Sequence, residues 1–354
     1  MRGRIGPPAT DAAASAALLA HLRREAGAPE LSYAEPPAEL TGGYDTRIFT
    51  FRLAGASAAW SGPLVLRVQN PGQDPVRSLR EATTQNTLAA LGYPVPHVLV
   101  ACADRAVLGA GFLVMERTPG RPLLAARRAG VGRALAEAQA RLHALDPEPL
   151  LRALDETGRA AGGEFSRDTV SFERHLTTLE ELIQRAGLTG LADGVQWLVD
   201  RRPPPGPRVI CHGDFHPLNL LAMDGRVTAV LDWPNVVVAE AEYDVASTHV
   251  LLGAVPVALL PVPAGLRPVV AVLRHVLLAR YLTIYRRLRP LDPVRMPYYE
   301  AAACMRGLVR VAAERAGTDA ARLSALDASA FGERLAARFA HVSGVPVTLP
   351  RARG

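Results

Sequence analysis

Short runs of hydrophobic residues alternate with polar turns in the first third of the chain, a pattern typical of β-strands. A helix is predicted at about residues 75–91, because Asp74 can cap its start, Pro75 fits its first turn and Gly92 can end it. Together these elements predict a small sheet with one helix packed against it. The strand-like runs are residues 48–53, 64–69, 98–101 and 112–115.

From about Pro119 the pattern becomes helical. Leu135, Ala138, Leu142 and Leu145 recur every three or four residues, which places one apolar stripe on a helix. A sheet lobe, a short connector and a helical lobe would form two lobes with a cleft. Further helices are predicted at 172–186, 190–199, 268–288, 297–316 and 328–341, and they are interrupted by a strand-rich island at 209–221 and 226–233.

The composition is that of a globular protein. The 354 residues are 49% hydrophobic and 21% charged, which is enough for two lobes. Cys102, Cys211 and Cys304 lie far apart, a spacing that gives neither a disulfide framework nor a zinc site, so we expect a cytoplasmic protein. The apolar stretch at 250–266 is broken by three prolines, so we expect no membrane partner.

The net charge is +6, and all 40 basic residues are arginines, since the chain has no lysine. The arginines are scattered along the chain instead of forming one block. This distribution favours a solvated surface, so we expect no nucleic-acid partner.

The strongest chemical signal is the segment His212-Gly213-Asp214-Phe215-His216-Pro217-Leu218-Asn219, followed by Leu231-Asp232-Trp233. Transfer of a phosphoryl group to a hydroxyl needs a carboxylate that orients the hydroxyl and accepts its proton, and oxygen ligands for Mg²⁺. Asp214 and Asn219, five residues apart on one loop, can supply both, and Asp232 can complete the metal site. The Asp-to-Asn spacing equals that of the protein-kinase catalytic loop.

A metal-dependent hydrolase is an alternative interpretation of the same segment. His212, Asp214 and His216 alternate, so in a strand they would place three metal ligands on one face. Gly213 and Pro217 favour a loop instead, and no second cluster of His and Asp is evident.

These two motifs resemble those of the aminoglycoside phosphotransferases, choline kinases and related small-molecule kinases. The resemblance implies an α+β, protein-kinase-like two-lobed fold, with a small antiparallel-sheet N-lobe at residues 1–118 and a mainly helical C-lobe at 119–354. It implies that Asp214 is the catalytic base and that Asn219 and Asp232 bind Mg²⁺. It further implies that His212 supports the loop and that Asp244 braces it, although Asp244 could equally be the N-cap of the next helix.

Weaker upstream signals follow the same family order. Gly42 and Gly43 precede a strand and resemble the loop that covers the phosphates, although a Gly-Gly pair is also typical of a plain hairpin. Glu81 matches the helix glutamate that pairs with a strand cation; read alone, it would be a solvent-exposed residue. Glu116 and Thr118 lie in a segment that resembles the connector whose backbone binds adenine.

The important departure from the family is Arg67, which stands where these kinases have a lysine. Arginine and lysine are not equivalent at a phosphate site. This departure keeps open the alternative of a nucleotide-binding pseudokinase with a regulatory role.

We therefore predict an enzyme that transfers a phosphoryl group from ATP, with GTP as the alternative, to a hydroxyl of a small molecule. Between Val245 and Pro290 the chain has no acidic residue and six arginines, which disfavours a polycationic acceptor such as an aminoglycoside. The acceptor is expected to be neutral, apolar or anionic. The sequence leaves monomer and homodimer open.

Overall fold

The computed structural model describes residues 11–40, 46–126, 130–255, 263–316 and 328–351. The helices in these ranges are α1 (Ala12–Ala26), α2 (Arg77–Ala90), α3 (Arg105–Leu108), α4 (Leu123–Ala126), α5 (Val131–Leu142), α6 (Glu148–Ala160), α7 (Phe172–Arg185), α8 (Ala192–Asp200), α9 (Ala241–Ala254), α10 (Arg267–Leu288), α11 (Arg295–Ala316) and α12 (Ala328–Ser343). The strands are β1 (Ser32–Leu40), β2 (Thr46–Ala54), β3 (Leu64–Gln69), β4 (Val98–Cys102), β5 (Phe112–Glu116), β6 (Arg121–Pro122), β7 (Arg208–Cys211), β8 (Leu220–Met223), β9 (Arg226–Val230) and β10 (Val237–Glu240).

The chain forms two compact units. The first comprises Met1–Gly120, Glu148–Ser166 and Thr228–Pro234, and the second comprises Arg121–Pro147, Arg167–Val227 and Asn235–Gly354. The first unit therefore includes two segments that follow residue 118 in the sequence. The boundary predicted between residues 118 and 119 stays a prediction.

The first unit contains the predicted antiparallel sheet, with strand order β1-β2-β3-β5-β4. Alternate side chains of β2 face the core, so Phe49, Phe51 and Leu53 are buried. On β3 the same alternation buries Leu64 and Leu66. Helix α1 covers this core with Leu18 and Leu22, and the side chain of Asp11 caps it by accepting a 3.2 Å hydrogen bond from the amide of Ala13.

Strand β1 was not predicted from the sequence. Its segment contains Pro36 and Pro37, which cannot donate a backbone hydrogen bond and so argue against a strand. The strand lies at the edge of the sheet, where prolines are tolerated, and its pairing with β2 has register shifts around these residues.

Helix α2 packs in the first unit between the sheet and α6. It begins at Arg77, two residues later than predicted, and Asp74 contributes by accepting a 3.1 Å bond from the amide of Val76. Gly92 follows its end with a φ of 75°, as the prediction of a glycine stop requires. One face of the helix buries Glu81, Ala82 and Leu88.

The second unit is mainly helical, as predicted. Leu135, Ala138 and Leu142 of the predicted stripe are buried on α5, which packs against α10. Helices α7, α8, α9, α11 and α12 surround a hydrophobic core of buried residues. Two short strand pairs, β7 with β10 and β6 with β8, hold the loop that carries the central motif.

One helical segment in the described residues, Ala264–Leu288, is long and apolar enough to cross a membrane by length and composition alone. Its second half is anchored in the protein core through Leu278, Tyr281 and Tyr285. Val272 and Leu273 in its first half are exposed.

Candidate active site

The central motif forms a loop between β7 and β8. Gly213 has a φ of 77°, and a Cβ at this position would lie 2.3 Å from the carbonyl oxygen of Asn235. Only glycine fits both constraints. The chain therefore leaves the strand at His212 and turns sharply at Gly213, which places Asp214 in the loop.

Asp244 braces this loop. Its carboxylate accepts hydrogen bonds from the backbone amides of His212, at 3.1 Å, and Gly213, at 2.7 Å. It also accepts bonds from the side chains of Gln139, at 3.0 Å, and His143, at 3.1 Å. Burial raises the pKa of Asp244. The hydrogen bonds and charges of His143, His212 and Gln139 together outweigh burial and lower this pKa to about 2. The alternative that Asp244 is a helix N-cap is wrong, because α9 begins at Ala241 and Asp244 lies within its first turn.

Asp214 is a largely buried carboxylate at the turn of the loop. Its amide donates a 3.2 Å bond to Nδ1 of His212, and its Oδ2 lies 3.7 Å from Nε2 of His216. Burial raises the pKa of Asp214, but its interaction with the nearby His216 ring, followed by the charges of Arg306 and His212, holds this pKa well below its usual value. Asp214 is therefore ionised at neutral pH, as a group that orients a hydroxyl must be.

Asn219 closes the loop from its other end. Its Nδ2 donates a 3.0 Å bond to the carbonyl oxygen of Asp214. Because the amide nitrogen is used within the loop, the side-chain oxygen is the atom of Asn219 that can coordinate a metal ion. Oxygen is the donor that Mg²⁺ prefers, so this residue fits the role predicted for it.

The structure disfavours the metal-hydrolase alternative. Residues 212–219 form a loop instead of a strand, so His212, Asp214 and His216 do not alternate on one face. Nδ1 of His212 and Nδ1 of His216 each accept a backbone amide bond within the loop. In the described ranges no three His, Cys, Asp or Glu side chains are grouped closely enough to hold a metal ion.

The first unit contains a second cluster of charges around Arg67. Nη1 of Arg67 donates to Oε1 of Glu81, and Nη2 donates to Oδ1 of Asp232 at 2.6 Å. Nε lies 3.4 Å from Oγ1 of Thr46. Burial lowers the pKa of Arg67, but the charges of Glu81 and Asp232 raise it above its usual value. Glu81 is 3% exposed, so the interpretation of it as a surface residue is wrong, and it pairs with the strand cation as predicted.

Asp232 follows β9 and has a φ of 69°, which is rare for a residue other than glycine. Its carboxylate is 40% exposed, and Arg67 bonds to only one of its two oxygens. An exposed carboxylate oxygen fits the predicted role in binding Mg²⁺. Trp233, the next residue, is fully buried and anchors this turn through a 2.9 Å bond from Nε1 to the carbonyl of Val230.

Two of the remaining predicted residues, Glu116 and Thr118, lie at the end of β5 or just after it. Gly42 and Gly43 fall outside the described residues. Glu116 ends β5 with an exposed side chain, and its amide donates a 3.0 Å bond to the carbonyl of His97. Thr118 follows and is half-buried. Their contribution to adenine binding stays a prediction.

Sequence reasoning did not predict the contacts that three residues of the second unit make around the catalytic loop. Gln139 on α5 and His143, the residue directly after the end of α5, both donate to Asp244, and His143 also accepts a 2.5 Å bond from the hydroxyl of Tyr285. Arg306 is on α11, far away in sequence from the loop whose Asp214 it influences. The sequence carries only one hint of these contacts, the spacing of four residues between Gln139 and His143.

Comparison of the sequence with models of protein families identifies the family of this chain. Residues 37–291, about seven-tenths of the chain, match the model of the phosphotransferase enzyme family, whose short name is APH. The chain belongs to this family. The family resemblance drawn from the two motifs is thereby confirmed.

Two kinds of curated relative match the chain. Aminoglycoside 3'-phosphotransferase of Streptomyces fradiae is 37% identical over 177 residues, which are 47% of this chain and 61% of that protein. Acyl-CoA dehydrogenase family member 11 of Rattus norvegicus is 28% identical over 261 residues, which are 69% of this chain and 32% of the relative. The corresponding Gallus gallus protein is 31% identical over 164 residues, 44% of this chain and 20% of the relative. The chain thus spans a fifth to a third of these dehydrogenase family members.

Solved structures of similar fold include aminoglycoside phosphotransferases. A Ralstonia eutropha protein described as one has a TM-score of 0.64 at 20% identity, over 93% of this chain and 98% of that one. A thermostable mutant of APH(4)-Ia, solved with ADP and hygromycin B, has a TM-score of 0.55 at 17% identity, over 91% of this chain and 98% of that one. The predicted α+β, kinase-like fold is therefore confirmed.

Proposed function

We propose that this enzyme transfers the γ-phosphoryl group of ATP to a hydroxyl of a small molecule, with Asp214 as the catalytic base. The observation that carries the proposal is the position of Asp214: an ionised carboxylate in a loop whose amides are held by the buried Asp244. Complexes of a fold relative with ADP and AMP-PNP support adenine nucleotide as the donor. GTP is the alternative donor.

The role of Asp214 follows from its pKa. A carboxylate held well below its usual pKa is a weak base, so it orients the acceptor hydroxyl and takes its proton late. A late proton transfer suits phosphoryl transfer, whose transition state is loose and needs positioning more than a strong nucleophile. Asn219 and Asp232 would hold Mg²⁺, which neutralises charge on the phosphates when it is bound.

We further propose that the acceptor is not a polycation. The acid-free segment from Val245 to Pro290 contains six arginines. Two acids of α7, Glu173 and Glu181, are already paired with arginines and so are poorly suited to attract an aminoglycoside. Several relatives have acyl-CoA in their names, and acyl-CoA is an anion, which agrees with this proposal. The Streptomyces relative is named for an aminoglycoside, which favours a polycationic acceptor instead.

The catalytic proposal is tested with Asp214→Asn and Asp232→Ala. Nucleotide binding is measured by calorimetry with Mg-ATP, and turnover is measured as a mass gain of one phosphate on a panel of sugars, macrolides, hydroxy acids and amino alcohols. Asp214→Asn should lose turnover and keep nucleotide binding, whereas Asp232→Ala should weaken the binding. Wild-type turnover in Asp214→Asn would contradict the assignment of the base.

The same panel tests the acceptor class, with kanamycin as the polycationic member. The proposal expects no efficient turnover of kanamycin. A KM for kanamycin in the low micromolar range, about the lower end for enzymes, would rule the acceptor proposal out and leave the catalytic proposal intact.

A further inference from the structure

Arg306 is a partly buried cation in the second unit, and the charges of Asp214 and Asp244 act on it without a direct ion pair to either carboxylate. Its Nη1 donates a 3.2 Å hydrogen bond to the hydroxyl of Tyr243, and its guanidinium carbon lies 6.0 Å from the centre of the same ring. It forms no ion pair with any carboxylate in the part of the chain that the structure describes. By contrast, Arg202 pairs with Glu173, and Arg338 pairs with Glu300. A covered arginine normally requires such a partner, because removing a charge from water is costly.

His175 lies beside the same tyrosine. Its ring meets that of Tyr243 edge-on, with 5.8 Å between centroids, and it stacks on Phe172 at 6.3 Å. Burial, and after it the charge of Arg306, lowers the pKa of His175 to about 3, so the imidazole is neutral at pH 7. Its Nε2 is buried and has no hydrogen-bond partner among the residues that the structure describes. A buried polar atom of this kind requires an explanation, and a ligand is one.

This group of residues is connected to the catalytic loop. Tyr243 directly precedes Asp244, whose carboxylate accepts the amide bonds of His212 and Gly213, immediately before Asp214. The positive charge of Arg306 is also among the influences that lower the pKa of Asp214. The positive charge of Arg306 is therefore felt at Asp214, the residue that the acceptor hydroxyl must reach.

We propose that Arg306, with Tyr243 and His175, forms an acceptor subsite for an anionic group, such as a carboxylate, on the hydroxylated substrate. The inference rests on the proposed function and specifies its substrate class. The guanidinium supplies charge-assisted donors, and the neutral imidazole supplies one further polar atom. A cationic acceptor would be repelled by the same arginine, which strengthens the discrimination against aminoglycosides.

A binding experiment without nucleotide tests the subsite. The probes are glutarate and benzoate, each compared with its neutral methyl ester, and affinity is measured by calorimetry. Wild type should bind a carboxylate but not its ester. Arg306→Met should weaken this binding by about 10- to 100-fold, the scale of a hydrogen bond to a charged group. Arg310→Met, one turn further along α11 and exposed, is the matched control and should bind like wild type.

Two further variants separate this inference from simpler explanations. Arg306→Lys keeps the charge and should bind the carboxylates more tightly than Arg306→Met; it replaces the methionine variant in the comparison if that variant does not fold, as judged by circular dichroism. Asp214→Asn should keep or strengthen carboxylate binding, because it removes a nearby negative charge. Failure of wild type to bind either carboxylate at about 10 mM, or equal binding by Arg306→Met, would overturn the subsite.

Turnover is then compared for hydroxy acids and their methyl esters. A preference for the acid that Arg306→Met abolishes supports the subsite. If the wild type phosphorylates acid and ester equally, the subsite is wrong while the kinase proposal stands. If carboxylates bind through Arg306 and no acceptor is ever phosphorylated, the kinase proposal fails while the anion site remains.

Discussion

Arg67 and Asp232 are joined by a 2.6 Å hydrogen bond between Nη2 and Oδ1, although 165 positions separate them in the chain. The planar guanidinium reaches Glu81 with its other amino group, so one cation joins both acids. A lysine has a single ammonium group and cannot present two parallel donors in this way. The substitution of the family lysine by arginine therefore creates a contact to the residue expected to hold the metal.

Variants of Arg67 test whether this contact serves turnover. Arg67→Ala should lower kcat/KM for ATP by about 10²- to 10³-fold, the scale for losing one positioned electrostatic donor. Arg67→Lys should leave kcat/KM equal or higher, because the charge is kept and one oxygen of Asp232 is released. Steady-state kinetics on a verified acceptor provide the measurement.

Two results would contradict that expectation. Wild-type kinetics and nucleotide binding in Arg67→Ala would make Arg67 a bystander. A wild type that binds nucleotide without turnover, together with activity in Arg67→Lys, would support the pseudokinase alternative.

Removal of Glu81 should destabilise the protein. Glu81→Ala leaves Arg67 with Asp232 as its only acidic partner in the described structure, and breaking a buried pair costs about 3 kcal/mol. Glu39→Ala is the control, because the pair of Glu39 with Arg47 is more exposed and should contribute less than about 1 kcal/mol. Urea denaturation gives both free energies, and equal losses would show that Glu81 is not held as described.

Asp214 and Asp244 should differ in what their loss affects. Asp244→Asn replaces a carboxylate that accepts four hydrogen bonds with a group that carries its own donors, so stability should fall by about 3 kcal/mol together with turnover. Asp214→Asn should lose turnover at nearly unchanged stability. Thermal unfolding and kinetics on the same preparations distinguish them; an Asp244→Asn protein as stable as wild type would exclude the bracing role.

His175 predicts a specific acid sensitivity. Its folded-state pKa of about 3 lies below the ordinary value of 6.5, so the unfolded chain takes up a proton first as the pH falls. Its contribution to stability is therefore present above pH 6.5 and is lost toward pH 3. His175→Gln should reduce the slope of the unfolding free energy between pH 6.5 and 5 by up to about 1.4 kcal/mol per pH unit, which corresponds to one proton.

The matched control for this experiment is His275→Gln, a change at an exposed position of α10. It should leave the slope as in wild type. An unchanged slope in His175→Gln would mean that His175 is protonated similarly in the folded and unfolded chain.

The sequence predicted the parts of the site that depend on local chemistry. Asp214 and Asn219 could be predicted together, because both residues lie on the same short loop and their spacing in the sequence keeps them close in space. Glu81 could be predicted only through family resemblance, since an acid on a helix is usually solvated. Its burial depends on Arg67, 14 positions earlier, and on the packing of α2.

Arg306 and His175 could not be found from sequence. Each lies on a helix whose pattern explains it as an ordinary polar residue, and their common neighbour Tyr243 is on a third helix. Contacts among three helices arise from tertiary packing, which short-range periodicity does not encode. Strand β1 was missed for a related reason: its prolines are acceptable only because the strand has one neighbour.

The left-handed backbone at Asp232 has a consequence for attempts to engineer this enzyme. A residue with a Cβ spends roughly 1–2 kcal/mol to adopt that conformation, whereas glycine adopts it without strain. Asp232→Gly would relieve this strain but would also remove an acidic partner of the buried Arg67, so the two effects on stability oppose each other and the substitution is no simple route to a more heat-resistant protein. Libraries that aim at a robust catalyst should hold this codon fixed and search for stability elsewhere.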